Sequence, residues 1–158
     1  MGVDEDKRLE KMKGKIYSKD LAIDLKSGKE EEIFKWFLAC LFFGKPIQQE
    51  VAKKTYFEFE KAGFLNPEKI LKAGWDKLVE ILDRGHYVRY DFSTATKLLE
   101  ICREMKEKYG TLTNLMNQAK NQKDLEKKLL EFKGIGPVTV RIFLRDLKLI
   151  KNHNDGYI

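Results

Sequence analysis

Apolar residues recur at intervals of three and four along most of the chain, and no stretch alternates apolar with polar over the length of a strand. From Glu30 to Phe43, Ile33, Phe34, Phe37, Leu38, Leu41 and Phe42 form one stripe, with Trp36 at its margin. Acidic residues open this helix, where the positive dipole end favours them, and Gly44 stops it. Pro46 starts a second helix in which Ile47, Val51, Thr55 and Phe59 share a face as far as Gly63. Asn66-Pro67 reads as the cap and first turn of a short third helix. Trp75, Leu78, Val79 and Leu82 make another short amphipathic helix, closed by Asp83-Arg84-Gly85. Between about Phe92 and Tyr109, the positions Ala95, Leu98, Leu99, Cys102 and Met105 mark a long helix, and Thr111 to Lys120 gives one more short one. Residues 1–19 are charged and weakly patterned, a short helix at most. The expected class is all-α, with residues 1–158 forming one helical domain, of two lobes if it divides at all.

The pattern changes character once. Leu125, Leu129 and Phe132 keep helical spacing, Gly134-Ile135-Gly136 interrupts it, and Val140, Phe143, Leu144 and Leu147 resume it after Pro137. Two helices hinged by a tight turn over 125–147 are predicted, because glycine accepts backbone angles a side chain would obstruct and Pro137 suits the first turn of a helix. Such a turn presents bare amides at a helix N-terminus, where unpaired N–H groups and the dipole together seat an anion such as a phosphate oxygen.

Charge sharpens this reading. Between Lys120 and Lys151 there are nine basic and four acidic residues, so this segment carries +5 of the chain's formal net charge of +6. Lysine and arginine around a phosphate-seating turn are the footprint of sequence-independent nucleic-acid binding. A Gly-x-Gly between helices and a lysine-rich helix also occur as plain turn chemistry and a solvated face, and it is their combination that favours binding. The longest apolar run, Trp36 to Phe43, falls well short of the about 20 residues a membrane-spanning helix needs. The charged N-terminus lacks the apolar centre of a secretory signal, so no membrane partner and an intracellular, cytoplasmic or nucleoid-associated location are expected. Cys40 and Cys102 lie within helical apolar patterns, which suits buried thiols in a reducing compartment.

The segment Phe132-Lys-Gly-Ile-Gly-Pro-Val-Thr-Val140 resembles the hairpin of the helix-hairpin-helix DNA glycosylases, the endonuclease III-like base-excision repair superfamily. Gly85-His86-Tyr87, followed by a long helix ending near Tyr109-Gly110, is similar to the family's segment upstream of the hairpin, so that the resemblance covers roughly Ile33 to Asp155. It implies a partner, duplex DNA carrying a modified base, and an activity, hydrolysis of the N-glycosidic bond of a base flipped out of the duplex. Asp155, seventeen positions after Val138, falls within about one residue of the family's catalytic aspartate, although Asn-Asp-Gly by itself reads as a turn; Asp146, on the hairpin's second helix, is the fallback and suits equally a pairing with Arg145 or a neighbouring lysine. Bifunctional members carry a Schiff-base lysine two positions after the second hairpin glycine, where this chain has Val138, so the expected chemistry is hydrolysis without lyase activity at that position. DNA contacts are expected from Lys133, Gly134, Ile135, Gly136, Val138, Thr139 and Arg141 at the hairpin, and from Lys45 and Arg89 upstream. Lys45 stands where relatives often present a gap-filling glutamine, and it suits either a wedge or a solvated loop lysine. His86 suits either a base contact or a helix cap. Two cysteines cannot supply the four ligands of the iron–sulfur cluster that several relatives carry, and two histidines support no metal cluster, so no cofactor is expected. The chain ends at Ile158, short of the C-terminal helices of many relatives, which leaves a non-catalytic DNA-binding module, or a hairpin serving protein–protein contact, as alternatives.

Overall fold

In the computed structural model the described residues are 16–154, with side-chain environments described to residue 147. Seven α-helices follow two short 3-10 turns, Ser18–Leu21 and Leu25–Ser27: α1 Glu30–Phe43, α2 Gln49–Ala62, α3 Pro67–Arg84, α4 Asp91–Lys108, α5 Leu112–Gln118, α6 Gln122–Leu130 and α7 Pro137–Asn154. A third 3-10 turn, Val88–Tyr90, leads into α4. The described chain is all-α, and none of its helices is long and apolar enough to cross a membrane.

α1 is the centre of the molecule. It packs against α2, α5, α7 and the Leu25–Ser27 turn, so burial spreads from one stripe to the whole circumference, and between Ile33 and Phe43 only Lys35 escapes it. Trp36, expected at the margin, is fully buried, and its indole N–H donates to the Phe143 carbonyl of α7 at 3.3 Å. Phe37 meets Phe143 edge-on at 5.6 Å, and Phe42 packs on Phe59 of α2 at 5.0 Å and on Tyr87 at 5.6 Å. The Tyr87 hydroxyl, buried like its ring, donates to the Phe42 carbonyl at 2.9 Å. Aromatic rings from three parts of the chain therefore converge on one helix, each adding its buried area and a favourable ring geometry.

Caps fix the remaining boundaries. Asn66, Thr111 and Asn121 accept the N3 amides of α3, α5 and α6 through their side chains. Glu30 accepts from the backbone amides of Leu112 and Thr113 at 3.2 and 2.8 Å, so an acid in the first turn of α1 also caps α5. α2 starts at Gln49, after Pro46 rather than at it. The two short helices expected on either side of residue 74 lie end to end as α3, with a break at Gly74 (φ 82°, ψ 169°). Trp75 sits just beyond the break, 37% exposed and packed at a tilt against Phe92 with ring centroids 5.2 Å apart, instead of joining the core. His86 holds a left-handed conformation (φ 66°), and its amide bonds the Asp83 carbonyl at 2.9 Å, so its backbone terminates α3.

Cys40 and Cys102 are buried and unpaired. Burial, and then the charge of Asp146, push the Cys40 thiol well up, and burial pushes Cys102 up to about 12.

Gly85 is where α2 touches the turn after α3. A Cβ there would lie 2.6 Å from the Thr55 Cα and 2.3 Å from its Oγ1, so backbone as well as side chain would have to move. Gly85→Ala is expected to destabilise the protein by about 1–3 kcal/mol in urea unfolding, the range for forcing a methyl into a packed contact. An unchanged midpoint would show that the close approach is not maintained in solution.

Candidate nucleic-acid interface

The hairpin is built as its residues require. α6 ends at Leu130, residues 131–136 make the turn, and α7 starts at Pro137. Phe132 and Ile135 point inward, Phe132 packing near Tyr109 at 6.3 Å between ring centroids, and the Ile135 amide donates to the Phe132 carbonyl at 3.2 Å. The two glycines differ in role. Gly134 has φ 100° and lies against the aliphatic stem of Lys97, whose Cδ would be 2.8 Å from an added Cβ. Gly136 has no positive φ and nothing within 4 Å of its Cβ position, so folding does not require glycine there. A side chain at 136 would occupy space that is open to an approaching ligand.

An open cleft of about 380 Å³ lies against this turn. Its walls are Leu41, Gly44 and Lys45 from the end of α1, Lys97 from α4, and residues 134–139. A narrower recess beside it reaches Thr94, Leu98 and Ile101 of α4. The cleft exists because α7 is docked so closely on the end of α1: a Cβ on Gly44 would fall 2.0 Å from the Thr139 Oγ1. That contact sets the first turn of α7, with its unpaired N–H groups, beside the loop that carries Lys45.

Lys45 and Lys97 bring their amines close together, and burial followed by the Lys97 charge lowers the pKa of Lys45. On its other side Lys45 lies over the Tyr90 ring at 5.5 Å, and Arg89 lies over the same ring at 5.6 Å. Lys97, Lys45, Tyr90 and Arg89 thus form one basic and aromatic strip leading away from the hairpin.

The expected contacts separate accordingly. Lys45, Gly134, Ile135, Gly136, Val138 and Thr139 all border the cleft, and Arg89 joins them through Tyr90. Lys133 and Arg141 are exposed at its flanks on the hairpin. Ile135 and Thr139 are 5% exposed and act mainly in packing, so their nearness to a ligand is a matter of backbone. Asp155 lies outside the described residues. Asp146, the fallback, is excluded from the cleft: it is 4% exposed, its Oδ2 accepts the Ser18 amide at 2.7 Å, and its Oδ1 accepts from Arg145 Nε at 3.3 Å. The adjacent Arg145 donates to the Ile16 carbonyl and lies over the Tyr17 ring at 4.4 Å. Arg145 and Asp146 fasten the start of the described chain to α7, and their charges leave the local excess of positive charge unchanged. Lys97 and Tyr90 were not evident from the sequence. The available signal was register, since Lys97 sits three residues after buried Thr94 and four before buried Ile101, on a face of α4 that turns inward.

Among the described residues, no group of three or more histidine, cysteine, aspartate or glutamate side chains is placed to hold a metal ion. No family model, curated protein or solved structure matches the chain in the comparisons with known proteins.

Asp146→Ala strands the Ser18 amide and the buried side of Arg145, and is expected to cost about 1–3 kcal/mol of stability without touching the cleft. Denaturant unfolding measures the loss, and a cleft ligand's affinity at a temperature where the variant is folded should equal that of the parent protein.

Proposed function

We propose that the protein is a DNA repair glycosylase of the helix-hairpin-helix kind, binding duplex DNA across the hairpin and the Lys45–Tyr90–Arg89 strip and receiving a flipped, modified nucleotide in the cleft. The observation that carries this reading is the convergence of helix-start amides and two cations on one cleft: the first turn of α7, Lys45 and Lys97 face it together, and neither lysine pairs with a carboxylate among the described residues. A duplex phosphate is the anion such a surface suits, and an open cleft beside it gives an extruded nucleotide a place to enter. In this reading Asp155 supplies the carboxylate that stabilises positive charge developing on the sugar as the base departs, and water completes hydrolysis. Val138 occupies the position where the resemblance would place a Schiff-base lysine, so no amine stands there.

A second reading has its own support. Among the described residues no carboxylate borders the cleft or its recess, which favours a module that binds DNA without cutting a glycosidic bond. Duplexes carrying uracil, mismatched thymine, alkylated purines or oxidised bases separate the two: incubation followed by alkali should reveal abasic sites in at least one. Binding of these duplexes with no abasic product from any would leave the module.

Gly136→Val is expected to fold, because nothing surrounds its Cβ position, and to weaken undamaged duplex binding whatever the sequence. Circular dichroism checks the fold and fluorescence anisotropy the affinity; equal affinity in the folded variant would remove the hairpin as the DNA contact. For Arg89→Ala and Lys133→Ala, each loss of a phosphate contact should reduce the slope of log affinity against log salt by about one unit. Asp155→Asn should abolish single-turnover cleavage while affinity for the damaged duplex stays equal or rises, since the acid contributes mainly in the transition state.

A further inference from the structure

The recess beside the cleft carries an unanswered hydroxyl. Thr94 lines it and is only 5% exposed, and its Oγ1 has no hydrogen-bond partner among the described residues. Its polar neighbour is the Tyr87 hydroxyl, whose own proton goes to the Phe42 carbonyl, so Tyr87 has none to give it. A buried hydroxyl left in this way costs stability unless something else completes it. Lys45 and Lys97 border the recess as well as the cleft, and they are the only ionisable side chains among the residues that line it. Leu41, Leu98 and Ile101 supply apolar wall, against which charge is poorly screened. Burial, and then the charge of Lys97, lowers the Lys45 pKa, so the two amines are held together against their repulsion. The group that would answer all three side chains accepts a proton from a hydroxyl and carries close to two negative charges.

Size narrows the choice of anion. The recess measures about 20 Å³, room for about one water-sized group, so a single oxygen can enter it while a continuous strand cannot pass through. A phosphodiester brings one charge and continues on both sides through its ester oxygens. A phosphate monoester brings about −1.5 to −2 charges near neutral pH and three terminal oxygens at a free end. We propose that the recess takes a terminal oxygen of a phosphate monoester, with Lys45 and Lys97 sharing its charge and the Thr94 hydroxyl donating to the inserted oxygen. The proposal rests on the DNA reading for what carries the monoester, a phosphorylated strand end; a free nucleotide carries the same group. The work then divides: the hairpin amides, Lys133 and Arg89 suit the diesters of a continuous strand, and the recess tells an end from a middle. Thr94 is the residue that sets this specificity, because binding a diester makes no use of it.

The test uses the full chain and one duplex sequence in three forms: with a phosphate at a 5′ or 3′ end, with hydroxyl ends only, and closed by loops so that it has no ends. Fluorescence anisotropy measures their affinities, and calorimetry compares thymidine 5′-monophosphate with its methyl ester, a diester, as probes independent of DNA. A phosphorylated end, 5′ or 3′, should bind about ten- to a hundredfold more tightly than the hydroxyl form, the range for a charged hydrogen bond. Thr94→Val should remove most of that preference and leave the closed duplex bound as before, and Thr94→Ser should restore it. Since the hydroxyl has no partner to lose, Thr94→Val should unfold at the same denaturant concentration as the parent or a higher one. Lys97→Met should weaken the phosphorylated form more than the closed one, whereas Lys133→Ala should weaken all three alike. Duplex bound equally in all three forms overturns the monoester site and leaves the DNA reading standing. If no duplex is bound, the DNA reading fails: thymidine monophosphate bound in preference to its methyl ester, with the preference lost in Thr94→Val, then supports the monoester site for a free phosphorylated molecule, and no such preference overturns it.

Discussion

The docking of α7 on α1 is the constraint from which the rest of the structure follows. Three contacts at different depths define it: the Trp36 indole on the Phe143 carbonyl, the Phe37 ring against Phe143, and the Thr139 side chain against Gly44. The first two lie in the core, where large aromatic side chains contribute about 3–5 kcal/mol each against truncation. The third lies at the rim, where it sets the distance between the hairpin amides and Lys45. Energy stored in the interior is thus used to hold a polar arrangement at the surface that would not hold itself together.

That arrangement works against its own stability. Two lysine side chains would separate if solvent and chain freedom allowed, yet the Lys97 stem is laid along Gly134 and Lys45 is held over Tyr90. The left-handed glycine matters here for more than turn geometry, since a Cβ at 134 would push the Lys97 stem away and relax the crowding. Apolar contact of the lysine stems and attraction to an aromatic face offset the repulsion of the heads. Sites that carry such opposition are the places where local preference yields to something other than folding.

Much of the helix order was legible because helices in this chain announce their ends. Gly44, Gly63, Asn66-Pro67, Gly85 and the 134–137 hairpin all act as boundaries where the amino-acid pattern suggests them. Depth was less legible. The α1 stripe could not show that the helix would be covered on all sides, because that depends on α5 and α7, which lie about 70 and 100 residues further on. Trp36 and Trp75 exchange their expected places for the same reason, as the break at Gly74 turns Trp75 out toward Phe92 while α7 covers Trp36. At the site, the hairpin was readable from its glycines and proline, whereas Lys97 was hidden among the charges of a long helix whose inward register is set only by tertiary packing. Asp146 shows the converse: pairing with Arg145 could be read from adjacency, whereas its bond from the Ser18 amide, 128 residues away in sequence, could not.

The clasp of Arg145 and Asp146 on Ile16 to Ser18 has a consequence for how the molecule is made. It ties the first described residues to the last helix, and the same helix supplies the cover for α1. A ribosome delivers α1 before α7, so the most apolar of the described helices stays uncovered on one flank until α7 has emerged. Closing so long a loop is slow compared with forming any single helix. Glu30, Glu31 and Glu32 at the opening of α1 place like charge beside that apolar surface, which opposes association of chains whose core is still incomplete.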